Sequence, residues 1–63
     1  MMSVNDELVS AFKTYIEENE KFSTKGVKAA APRARKALRD IISLAQKRRM
    51  EIREEKKDLS IGD

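Results

Sequence analysis

Val4, Leu8, Phe12, Tyr15, Ile16 and Phe22 recur at three- and four-residue steps, with Asn19 in the same series. Steps of that size keep side chains on one side of an α-helix, so the spacing predicts a helix over 4–25. The ends agree with that reading. Ser3 is a suitable N-cap, and Asp6 and Glu7 fall in the first turn, where the helix dipole favours negative charge. Lys21 and Lys25 sit near the other end, and Gly26 supplies the residue type that most readily turns the chain out of a helix.

A second helix is predicted over 28–57. Pro32 would break a helix interior, but the first turn has no intrahelical N–H bond to lose. A start at Val27 or Lys28 places Pro32 at the end of that turn, and a start at Ala31 places it at the first helical position. Both starts are compatible with the residues. Downstream, Ala34, Leu38, Ile41, Ala45, Arg48 and Ile52 form a heptad-like seam, and Ala37, Ile42 and Leu44 widen it. Leu59 to Asp63 is expected to fray.

Two helices joined by a tight turn make an all-α helical hairpin, a single domain over 1–63 with a short helix 1 and a long helix 2. The longer helix leaves its last turns without an intramolecular partner. A chain of 63 residues also buries little surface by itself. An antiparallel four-helix bundle made by two hairpins is therefore the expected architecture. Its core and pairing residues are expected to be Leu8, Phe12, Tyr15, Ile16, Phe22, Leu38, Ile41, Ala45 and Ile52.

Charge adds the functional signal. Residues 25–49 carry nine Lys or Arg against one acid, Asp40, a local charge of +8. The segments on either side are acidic, so the formal net charge of +3 conceals a basic middle between two acidic ends. On a helical projection Lys28, Arg35, Lys36, Arg39, Lys47 and Arg53 lie opposite the apolar seam, with Arg33 and Arg49 at the margins. Such a face can contact a phosphate backbone repeatedly, with strong salt dependence and little regard for base sequence. The plainer alternative is a solvated helix surface, with some cations paired to Asp40, Glu51, Glu54 or Glu55.

Chemistry of other kinds finds few residues. The chain has no Cys and no His, which removes disulfides, thiolate zinc sites and imidazole catalysis. Ser10, Ser23, Thr24 and Ser43 therefore lack the usual general base. Glu17, Glu18 and Glu20 sit within a regular helix and suit a solvated acidic face better than a metal site. Phe12, Tyr15 and Phe22 have the spacing of packing residues rather than of base-stacking ones. No enzyme activity, cofactor, metal or small-molecule substrate is expected. No apolar run approaches a membrane span and no signal-peptide pattern opens the chain, which points to the cytoplasm. Duplex DNA is the leading partner and a homodimer the expected state. Structured RNA and a charge-complementary protein-interaction module are the alternatives.

One track of the sequence resembles a known family. Lys25-Gly26, Lys28-Ala29-Ala30, Arg33, Arg35-Lys36-Ala37-Leu38 and Leu44-Ala45 are similar to the pattern of short bacterial linker-histone-like proteins. These are related to the N-terminal region of the chlamydial histone-like nucleoid protein. Glu20-Lys21-Phe22 at the end of the first helix fits as well, and the resemblance extends over roughly residues 5–57. It implies a nucleoid-associated protein that binds and compacts DNA.

Overall fold

The computed structural model describes residues 2–60, with side chains through Lys57. Among these residues there are two helices, α1 (Val4–Ser23) and α2 (Ala30–Ser60), and no strand. They pack against each other as an elongated hairpin of 53 × 20 × 16 Å.

Local chemistry sets the ends of α1. The Ser3 hydroxyl accepts a hydrogen bond from the Asp6 backbone N–H at 3.0 Å, and Asp6 and Glu7 occupy the first turn. At the other end the Thr24 N–H donates to the Glu20 carbonyl at 2.8 Å, and the Val27 N–H reaches back to the Lys21 carbonyl at 2.9 Å. The second bond wraps the chain over the helix terminus, and Gly26 makes it possible with a φ of 68°. A Cβ at Gly26 would meet no atom within 4 Å, so the obstacle to a side chain is backbone conformation alone. Gly26→Ala is accordingly expected to destabilise the fold by about 1–2 kcal/mol, read as a lower urea midpoint at unchanged slope.

The turn runs directly into α2. Ala30 and Ala31 donate their N–H groups to the carbonyls of Val27 and Lys28, each at 3.1 Å. The helix then starts at Ala30, between the two starts expected from the residues, and Pro32 is its third residue. A proline there forfeits no intrahelical bond. α2 continues through Leu59 and Ser60, further than the expected fray at Leu59; residues 61–63 lie outside the described residues.

The contact between the helices follows one heptad-like series on each. On α1 it runs Val4, Leu8, Ala11, Tyr15 and Glu18; on α2 it runs Ala30, Ala34, Ala37, Ile41, Leu44 and Arg48. Only Ala30, Ala34 and Ala37 are buried, and the others are half-buried. This differs from the expected seam of α2. Leu38 and Ile52 are exposed, while Ala37 takes the place given to Leu38, and Leu44 joins the half-buried Ala45. The physical reason is distance. Beside a tight turn the two backbones lie close, and alanine is the residue that fits between them. Of the expected core and pairing positions, Leu8, Tyr15, Ile41 and Ala45 are half-buried, whereas Phe12, Ile16, Phe22, Leu38 and Ile52 are exposed in the single chain.

Most of those exposed residues form a second series. Val9, Phe12 and Ile16 each follow a seam position of α1 by one residue, and Leu38 and Ile42 do the same on α2. One residue is a rotation of ~100°, and in antiparallel helices equal rotations turn both side chains to the same side of the hairpin. These five are 41–61% exposed. The hairpin thus has one broad apolar side. The opposite side is a polar groove lined by Ser10, Thr14, Glu18, Arg33, Lys36 and Asp40.

Candidate nucleic-acid interface

The eight cations expected to meet nucleic acid come from the turn and from α2. All eight are exposed: Lys28, Arg33, Arg35, Lys36, Arg39, Lys47, Arg49 and Arg53. They are not equivalent. Arg33 Nη1 lies 3.9 Å from Glu18 Oε2, and Lys36 Nζ lies 3.7 Å from Asp40 Oδ2. Both pairs belong to the polar groove. Lys28, Arg35, Arg39, Lys47, Arg49 and Arg53 form no ion pair among the described residues.

Their placement follows from the helix period. With the buried alanines facing α1, Arg39 points directly away from α1, and Arg35 and Arg53 lie ~40° towards the apolar side. Arg49 projects onto the apolar side itself, about two turns beyond Ile42 towards the open end, and Lys47 borders the polar groove. From Arg35 to Arg53 the helix axis advances about 27 Å, a length over which a duplex carries about sixteen phosphates. The cations therefore form a band along the outside of α2. Arg35 and Arg39 also flank Leu38 and Pro32 in a shallow depression.

Arg48 belongs to the scaffold instead. It is half-buried at the open end of the hairpin, 2.9 Å from Glu51 Oε1 and 3.4 Å from Glu55 Oε2. The Glu51 hydrogen bond, with help from Glu55 and against partial desolvation, holds its pKa above the ordinary arginine value. Lys57 pairs with Glu54 at 3.6 Å farther along. These acids neutralise the end of α2, so net positive potential is confined to the middle of the helix.

Glu18 deserves separate mention among residues that periodicity alone did not single out. It is a seam residue with a side chain only 12% exposed, and Lys21 and Arg33 lie 3.5 and 3.9 Å from its carboxylate. Its Oε2 is buried and accepts no hydrogen bond, so its partners act on it by charge alone. The i,i+3 spacing to Lys21 is visible in the sequence, but the contact with Arg33 exists only once the hairpin closes. No helix among the described residues is long and apolar enough to cross a membrane.

Comparison with known proteins supplies an independent finding. A family model described as histone H1-like protein Hc1 matches residues 2–58, nearly the whole chain. No match was found among curated proteins or among solved structures.

Proposed function

This chain belongs to the Hc1 family of histone H1-like proteins, and on that footing we propose that it is a nucleoid-associated protein that binds duplex DNA through the outside of α2. The observation that carries this reading is the band of six cations without ion-pair partners, Lys28, Arg35, Arg39, Lys47, Arg49 and Arg53. They contact phosphates rather than base edges. Long side chains on one convex helix surface neutralise charge over several turns but carry no donor-acceptor pattern that would select a sequence. Arg33 and Lys36 contribute less, because each is already paired, Lys36 in an exposed pair weak enough for a phosphate to displace and Arg33 with the half-buried Glu18.

The working unit in this proposal is a homodimer. A hairpin whose buried residues, among those described, are three alanines has too little core to stand alone, and it leaves a broad apolar side uncovered. A second copy covers that side and completes an antiparallel four-helix bundle. The cationic bands remain outside, so the dimer offers DNA two of them. Its role is architectural, in the nucleoid.

Fluorescence anisotropy on a short labelled duplex tests the assignment. Between ~50 and ~200 mM salt the affinity is expected to fall at least a hundredfold, as four to six phosphate contacts require. An affinity that changes less than about threefold means fewer than one released contact and overturns the phosphate-binding reading. Unlabelled RNA and unrelated duplexes, added as competitors, distinguish a DNA preference from general polyanion binding. Salt-sensitive self-association with no affinity for nucleic acid favours the protein-interaction module.

A further inference from the structure

The charges that border the apolar side say how two copies meet on it. Beyond Phe12 and Ile16, the flank of α1 carries Glu20, and Lys13, Asp6 and Glu17 follow on the outside of the helix and round towards the polar groove. Along and beyond Leu38 and Ile42, the flank of α2 carries Arg35, Arg49 and Arg53 and no acid. One edge of the apolar side thus carries a single acid and the other three cations. Two hairpins can stack on this side in two symmetric ways, and these edges distinguish them.

In the first arrangement the two-fold axis runs along the helices. α1 of each copy then lies over α2 of the other, and both turns are at the same end. In the second the axis runs across the helices. α1 lies over its own copy, α2 over its own copy, and the turns are at opposite ends. Both give antiparallel neighbours throughout, so helix packing alone does not choose.

The register within the hairpin fixes which charges meet. Glu18 is level with Arg33, and Ser3 lies beside Arg48 at the open end. In the first arrangement Glu20 of one copy therefore comes within about four residues, or ~6 Å along the axis, of Arg35 of the other. In the second arrangement the flanks of the two α2 helices face each other, so Arg35, Arg49 and Arg53 of one copy lie against the same set of the other. The basic flank of α2 then meets its own sign. Opposed like charges at an interface discriminate against an arrangement more strongly than exposed pairs stabilise one.

We infer that the homodimer pairs α1 of one copy with α2 of the other across the apolar side, with both Gly26 turns at the same end. This rests on the dimer proposed above and adds its topology. A consequence for DNA is that the two cationic bands run along diagonally opposite helices of the bundle, each beside an acidic α1. One dimer then presents its bands on opposite sides.

The chain has no cysteine, so a single substitution gives a unique labelling site. Lys25→Cys is in the exposed turn, away from the apolar side. With a nitroxide at that position, pulsed dipolar spectroscopy on the full chain should give an inter-label distance below about 25 Å for turns at the same end. For turns at opposite ends the distance exceeds about 35 Å, given the ~1.5 Å rise per residue on either side of the crossing. Sedimentation on the same sample separates the two possible failures. A dimer with the long distance overturns this topology and leaves the dimer standing. A monomer overturns the dimer itself, and the topology with it.

Discussion

With Arg39 and Lys47 both replaced by Glu, duplex binding at about 0.1 M salt is expected to weaken at least a hundredfold, while helix content and oligomeric state stay unchanged. The size follows from counterion release. Each phosphate contact contributes a salt slope of about −0.9, a factor of about eight at 0.1 M relative to 1 M salt. Losing two contacts multiplies to about sixtyfold, and reversed charges add repulsion. The choice of residues matters as much as the number. Arg39 points away from α1 and Lys47 lies towards the polar groove, so neither reaches the apolar side. Both are exposed and neither takes part in an ion pair among the described residues. Their loss should therefore reach the nucleic acid and little else. Anisotropy alongside circular dichroism and sedimentation checks this. Wild-type affinity in a folded, paired variant would place the DNA contact away from the outside of α2.

The second large effect is structural. Ile42→Asp is expected to yield a monomer that has lost most of its helical ellipticity at micromolar concentration. Ile42 is exposed in the single chain, so the substitution costs an isolated hairpin almost nothing. In a paired bundle it places an unpartnered carboxylate, twice per dimer, in an apolar interface, at a cost of several kcal/mol. Dissociation then exposes how little each hairpin holds by itself, since its buried residues are Ala30, Ala34 and Ala37. Most helical stability in proteins comes from packing of an apolar face rather than from propensity, and the separated hairpin has lost that packing. The same logic makes the wild-type melting temperature rise with protein concentration. Ile42→Leu, which preserves the apolar volume, should remain a folded dimer. A folded dimer of the Asp variant would mean that pairing uses another side of the hairpin.

The parts of this molecule that were legible in the sequence are those decided locally. Ser3 as a cap needs only the Asp6 N–H three residues on, and the stop at Gly26 needs only a residue tolerant of positive φ. The phase of α2 was harder to read. Leu38 and Ile52 attract attention because they are large and apolar, whereas the seam itself runs through Ala30, Ala34 and Ala37. Nothing in an alanine's local surroundings says that a second backbone lies against it. The site divides in the same way. Lys36 paired with Asp40 is an i,i+4 pattern that can be seen in advance. Arg33 paired with Glu18 joins residues on different helices, and so half of the distinction between paired and unpartnered cations appears only in the closed hairpin.

The ring of Tyr15 lies 6.4 Å from that of Phe12, centroid to centroid. Tyr15 belongs to the seam within the hairpin and Phe12 to the apolar side outside it, so the two contact surfaces touch through one pair of rings. The chain contains no tryptophan and no second tyrosine. Its entire near-ultraviolet signal above the phenylalanine bands therefore originates at the junction of the two surfaces. Opening the hairpin and parting the copies should both alter the emission of this one chromophore. The protein carries a built-in optical reporter of its own assembly, and it needs no label.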